Sequence, residues 1–121
     1  MKLPQAESFN LTKAKEEHLS VIIAELNSKT GKNFDNGVVV KSMLQIRDLL
    51  MKSDKLRVSA KNNNLKDFEF SFFSNIDEAL IEGLSQNEEF FTLLLNNDEI
   101  KREVLGIFTG EIYKSLRRAE V

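Results

Sequence analysis

Apolar residues recur at steps of three and four along most of this chain, and the densest example runs from Leu65 to Leu84. Four of the nine phenylalanines lie within residues 68–73. Alternation from Phe68 to Phe72 is compatible with a half-buried strand, and a row of exposed rings is compatible with base stacking. The alternation stops at Phe73, whereas a helical stripe continues through Phe68, Phe72, Phe73, Ile76, Ala79, Leu80 and Leu84. The spacing therefore predicts a helix from about Leu65 to Leu84.

A helix over this stretch divides its side chains between the core and the solvent. Asn64 is a suitable N-cap, and Phe70 lies off the apolar stripe. If Phe70 is exposed, it is a candidate partner contact. Base stacking on these rings is disfavoured because the acidic residues among them would repel phosphates. We expect burial of Leu65, Phe68, Phe72, Phe73 and Ile76, and we expect Glu69 and Asp77 to face water.

Other segments show the same periodicity. Gly31 is a natural residue just past the end of a first helix, a second helix is expected to start near Asn36, and Ser53 or Asp54 is suited to cap a short third one. The apolar stripes are Leu19, Ile22, Ile23 and Leu26; Val39, Met43, Ile46 and Leu50; and Val104, Leu105, Phe108, Ile112 and Leu116. The sequence thus predicts an all-α, compact single domain of five or six helices.

Two glycines in the last predicted helix, Gly106 and Gly110, are four residues apart. Glycine weakens a helix but permits close approach of a neighbour, so we expect another helix to pack against them. They are interpreted as packing residues and not as a membrane dimer motif.

Composition limits the class of protein. The 121 residues are enough for one domain with a single core. Residues 1–10 are expected to be a connecting segment or an artificial start, and residues 11–121 the helical domain. The sequence has no cysteine, which excludes disulfides and thiolate chemistry. Neither an apolar signal core nor a run of about 20 apolar residues occurs, so a cytoplasmic location without membrane contact is expected.

Few residues are suited to catalysis. His18 is the single histidine, and it is expected to be an exposed helix residue. The Glu-x-Lys element at Glu99 and Lys101 occurs in metal-dependent nucleases, but that chemistry needs a strand beside a separate Asp, and here the element opens a predicted helix. We expect no catalytic residue, no metal site and no cofactor in this chain.

Charge is segregated along the sequence. Residues 41–66 hold seven basic side chains against Asp48 and Asp54, whereas residues 67–99 hold nine acidic side chains and no Lys or Arg. Such a pattern indicates a face for an anionic partner, or two segments that lie side by side and neutralise each other. If the basic segment binds DNA, it would contact phosphates without reading bases. The candidate DNA-binding residues are Lys52, Lys55, Arg57, Lys61 and Lys66.

Three short motifs, in order, carry a resemblance to a known family. The first consists of Leu19, Ser20, Ile22, Ile23, Asn27, Gly31 and Phe34; the second of Asn63, Asn64 and Phe68; the third of Tyr113, Leu116 and Arg117. Together they resemble the C-terminal region of type I restriction-modification motor subunits, over about Leu19 to Arg118. One departure is the segment Phe34–Val40, which is less acidic than in many relatives.

The resemblance implies a parent protein that is a type I site-specific deoxyribonuclease with ATP-dependent translocase activity. ATP and Mg would belong to the parent, because this chain contains none of its helicase or nuclease motifs. The domain would aid assembly with the modification (methyltransferase) and specificity subunits and would make non-specific phosphate contacts with double-stranded DNA. The alternative is a helical protein-interaction module with no nucleic-acid role. The candidate partner contacts are Asn63, Asn64, Phe70, Tyr113 and Arg117.

Overall fold

Six α-helices follow one another in the computed structural model, which describes residues 9, 11–62 and 64–118. They are α1 (Lys13–Thr30), α2 (Asn36–Leu50), α3 (Asp54–Lys61), α4 (Leu65–Glu82), α5 (Glu88–Asn96) and α6 (Asp98–Arg118), with a short 3-10 turn at Gly83–Ser85 between α4 and α5. The described residues contain no strand. The all-α class and the number of helices are confirmed. The division at residue 10 remains a prediction, since residues 1–8 and 10 lie outside the described part.

Most helix boundaries follow from polar side chains that satisfy the terminal backbone groups. The side chains of Thr12, Asp35, Ser53 and Asn64 each accept a hydrogen bond from the backbone N–H three residues on, at the starts of α1 to α4. Gly31 ends α1 with φ 71°, the left-handed conformation that glycine tolerates best. The predicted caps at Ser53, Asn64 and Gly31 are therefore confirmed.

One hydrophobic core contains buried side chains from all six helices. α6 packs against α1, α2, α3, α4 and α5, so it is the central element. The stripes of α1, α2 and α6 are buried as expected. The charges at the two ends of α6 interact favourably with the helix dipole: Asp98 and Glu99 lie in its first turn, and Arg117 and Arg118 lie in its last.

In α4, the prediction of burial holds for Phe68, Phe72 and Ile76, which are fully buried, while Glu69 and Asp77 are exposed. It is wrong for Leu65, which is 45% exposed. Helical side chains tilt toward the N-terminus, so a residue in the first turn points past the end of its own helix. Phe73 is only half-buried, with its ring edge-on to Phe72.

The prediction that Gly106 and Gly110 admit a neighbouring helix is wrong. A Cβ atom on Gly106 would meet nothing within 4 Å, and one on Gly110 would lie 3.9 Å from the Nζ atom of Lys15. The close approach occurs instead at Gly83, where a Cβ atom would come 2.5 Å from the buried ring of Phe91. Gly83 ends α4 and lets the chain turn tightly into α5.

Candidate interaction surfaces

Two reciprocal hydrogen bonds link the C-terminal ends of α3 and α6, and we call this contact the α3–α6 joint. The Nη1 atom of Arg117 donates to the carbonyl oxygen of Ala60 (2.9 Å), and the Nζ atom of Lys61 donates to the carbonyl oxygen of Arg117 (3.2 Å). Both cations thus meet carbonyls at helix C-termini, where positive charge is favourable. Two predicted site residues, one from each proposed set, are brought together over a sequence separation of 56.

Tyr113 extends this joint toward the core. Its hydroxyl accepts a hydrogen bond from Arg117 Nη1 (3.3 Å), and the guanidinium carbon lies 5.6 Å from the centre of the tyrosine ring. The ring also packs against Phe68, with centroids 5.0 Å apart. Tyr113 and Arg117, predicted as partner contacts, therefore have internal structural roles that join α3, α4 and α6.

The asparagine pair before α4 is only partly described. The Oδ1 atom of Asn64 accepts a hydrogen bond from the backbone N–H of Asp67 (3.1 Å), so this predicted partner contact caps α4. Asn63, the other predicted contact, lies outside the described residues.

The five candidate DNA-binding residues differ in how much of their charge faces outward. Arg57 pairs with Asp54, and its side chain is 19% exposed. Lys61 donates to Arg117, as described above. Lys52, Lys55 and Lys66 are exposed, and none of the three forms an ion pair with the residues that the structure describes. These three lysines are thus the members of the set best placed to meet phosphates.

Ion pairs around the acidic segment bear on the two interpretations of the charge pattern. Asp77 and Asp98 pair with Lys101, Asp98 also pairs with Arg102, and Glu89 pairs with Lys32. All these cations come from outside residues 41–66. Within the basic segment, Arg47 and Arg57 pair with the nearby Asp48 and Asp54. These pairs favour two separate charged surfaces over mutual neutralisation.

Lys101 is the most deeply placed charge in these pairs, with 7% of its surface exposed. Burial disfavours its charged form, but hydrogen bonds to Asp77 (2.8 Å) and Asp98 outweigh that effect, so its pKa is raised. Hydrogen bonds from Arg102 and Lys101 lower the pKa of Asp98. The lysine of the Glu-x-Lys element therefore joins α6 to α4 by ion pairs, on a helix as expected.

Phe70 resolves the question left by the apolar stripe, because it is 77% exposed and points away from the core. Ile81, which is 59% exposed, follows eleven residues later on the same helix. Eleven residues are about three helical turns, so the two side chains share one side of α4. Sequence reasoning missed Ile81, although the same periodicity applied to the outer side of the helix would have found it.

Groups suited to catalysis are sparse in the described residues. His18 is exposed as expected, and no group of three or more His, Cys, Asp or Glu residues among them is arranged to hold a metal ion. A depression beside α5 is lined by Lys32, Glu88, Glu89, Thr92 and Leu93. Two of these lining residues, Lys32 and Glu89, form an ion pair with an N–O distance of 3.2 Å. In the described part of the chain, no helix combines the length and the apolar character needed to cross a membrane.

Comparison of the chain with known protein families, with curated protein sequences and with solved structures gives no match. The resemblance to type I restriction motor subunits therefore depends on the three ordered motifs alone.

Proposed function

We propose that this chain is a non-catalytic helical domain of a type I restriction motor subunit, which helps to assemble the motor on its methyltransferase core and contacts DNA. The partners would be the modification and specificity subunits and the backbone of double-stranded DNA. The parent protein, a cytoplasmic enzyme, would supply the ATP- and Mg-dependent translocation and cleavage.

The distribution of positive charge carries the DNA half of the proposal. Lys52, Lys55 and Lys66 come from the α2–α3 connection, α3 and the start of α4, and all three side chains are exposed. The joint between Lys61 and Arg117 places the basic end of α6 next to this segment. Flexible lysines on such a surface suit salt-dependent contact with phosphates and carry no sequence information.

The assembly half is supported by the resemblance and by the structural roles of its residues. Asn27, Gly31 and Phe34 shape the turn after α1, Asn64 caps α4, and Tyr113 and Arg117 close α6 onto α3. The motif residues would thus maintain the fold of the domain. The contacts with other subunits would come from exposed residues around them.

Removal of residues 11–121 from the parent motor subunit tests this proposal. We expect the truncated subunit to lose assembly with the modification and specificity subunits, DNA binding, or both, measured by size-exclusion chromatography and by electrophoretic mobility shift. Normal assembly, DNA binding and restriction by the truncated enzyme would contradict the proposal.

A protein-interaction module with no nucleic-acid role is the second candidate. The exposure of Phe70 favours it, because an outward aromatic side chain is typical of protein interfaces. The two candidates differ in one measurement: the second predicts no salt-dependent binding of duplex DNA by the 121-residue chain.

A further inference from the structure

The outer side of α4 presents apolar side chains that the core does not use. Phe70 and Ile81 are 77% and 59% exposed, and the exposed Ser74 lies between them on the same side. We call these three residues the outer α4 face. At about 1.5 Å per residue it extends about 16 Å along the helix, which is long enough to contact about three turns of another helix.

Carboxylates flank the outer α4 face on both sides. The helical repeat places Asp67 and Glu78 along one edge and Asp77 along the other. All three residues are exposed. Although Asp77 pairs with Lys101, its side chain remains 58% exposed. No Lys or Arg occurs anywhere in residues 67–99. The cation of α4 nearest this face is the exposed Lys66, four residues before Phe70, and the three carboxylates outnumber it.

This combination selects one kind of occupant. The carboxylates repel nucleic acid and anionic lipid surfaces. A uniformly apolar partner would cover the carboxylates without giving them a hydrogen-bond or charge partner. A helix with aliphatic side chains along one side and Lys or Arg on both flanks would bury Phe70 and Ile81 while its cations meet the carboxylates. Docking of an amphipathic helix through its apolar side is a common mode of peptide recognition.

We propose that the outer α4 face docks a cationic amphipathic helix of a protein partner. The proposal deepens the assembly role proposed above and rests on it, since it names the surface and the chemistry of the segment that would bind there. Phe70 is the more exposed anchor, at the N-terminal end of the face, Ile81 is the second, and the flanking carboxylates set the orientation and the selection for basic residues.

A probe peptide of about 18 residues, enough for about five helical turns, tests the proposal with the full 121-residue chain. One peptide carries leucines along one side and lysines on both flanks, and a matched peptide carries glutamates in place of the lysines. Binding is measured by fluorescence anisotropy without DNA, at low and at high salt. We expect the lysine peptide to bind at least about tenfold more tightly than the glutamate peptide, with the difference reduced at high salt.

Two exposed apolar residues provide a matched pair of variants. Ile81 and Val58 are 59% and 53% exposed, but Val58 lies on α3 within the basic segment. We expect Phe70→Ser and Ile81→Ser each to weaken binding of the lysine peptide at least about tenfold. Val58→Ser should leave that binding unchanged, and circular dichroism should show that all three variants keep their helices.

Several results would overturn the proposal: no binding of the lysine peptide, equal binding of both peptides, or an equal loss in the Val58→Ser variant. Sedimentation equilibrium adds one more, since self-association that Phe70→Ser abolishes would identify a second copy of this chain as the occupant. Failure here is distinguishable from failure of the proposed function. The peptide assay contains neither DNA nor other subunits, and the truncation experiment does not depend on Phe70.

Discussion

The side-chain amide of Asn27 holds the backbone of Phe34 at both of its polar groups. Asn27 Nδ2 donates to the carbonyl oxygen of Phe34, Asn27 Oδ1 accepts from its N–H, and both distances are 2.9 Å. In the turn that follows Gly31, the Asn27 side chain therefore supplies the hydrogen-bond partners that another stretch of backbone would otherwise give to Phe34. The fixed turn places the ring of Phe34 edge-on against Phe90, with centroids 5.2 Å apart, so one side chain ties the end of α1 to α5.

Substitution Asn27→Ala should destabilise the domain by about 1–3 kcal/mol, because it leaves the partly buried N–H and carbonyl of Phe34 without their partner. Urea unfolding monitored by circular dichroism measures the effect. Asn33→Ala, an exposed position in the same turn, is the control and should change stability by less than about 0.5 kcal/mol. Equal effects of the two substitutions would show that the Asn27 hydrogen bonds contribute nothing.

The phenylalanines of α4 provide a second comparison. Phe72→Ala should cost about 3–5 kcal/mol, since the ring is fully buried and its removal leaves a cavity. Phe70→Ala should change stability by less than about 0.5 kcal/mol, because 77% of that residue is already exposed. Denaturant midpoints of the two variants check both values. Comparable losses would contradict the orientation of α4.

Helical spacing predicted most of this core because each helix keeps one side apolar, and that pattern is local in sequence. Leu65 was predicted wrongly because burial at the end of a helix depends on whether a neighbour extends beyond that end. The pairing of Arg117 with Ala60 was also beyond sequence reasoning, since it depends on which helices pack together. Lys61 and Arg117 could be proposed separately, but their mutual contact could not.

The two glycines Gly83 and Gly106 illustrate the same limit and lead to opposite expectations. Gly83→Ala should destabilise by about 1–3 kcal/mol because its Cβ atom would overlap the buried Phe91 ring. Gly106→Ala should stabilise by about 0.5–1 kcal/mol, since the position is helical and has open space. Thermal unfolding of both variants measures the signs, and a destabilised Gly106→Ala variant would show a close neighbour there.

The Asp98 ion pairs predict a specific dependence of stability on pH. Because the pKa of Asp98 is lowered in the folded state, its contribution is present above its ordinary value of 3.8 and is lost as the pH falls through the folded value. Asp98→Asn should therefore reduce stability near neutral pH and have little effect once the carboxyl is protonated in both states. The raised pKa of Lys101 makes its contribution present below its ordinary value of 10.5 and lost only at higher pH.

Unfolding of the wild type and of Asp98→Asn across the acid range checks this dependence. Glu99→Gln is the control, since Glu99 is the next residue in the same first turn of α6. A difference between wild type and Asp98→Asn that does not shrink toward low pH would show that the ion pairs do not stabilise the fold.

The salt dependence of duplex DNA binding shows directly whether Lys52, Lys55 and Lys66 contact phosphates. The wild-type chain is compared with a variant carrying Glu at Lys52, Lys55 and Lys66, and with a control of equal charge change carrying Glu at the exposed α1 residues Lys13, Lys15 and Lys29. We predict that the first variant binds more weakly and that its slope of log affinity against log salt falls by about 0.9 for each phosphate that the protein no longer neutralises, while the control keeps the wild-type slope. Absence of DNA binding by the wild type at low salt, or equal slopes for the two variants, would contradict the assignment of DNA contact to this surface.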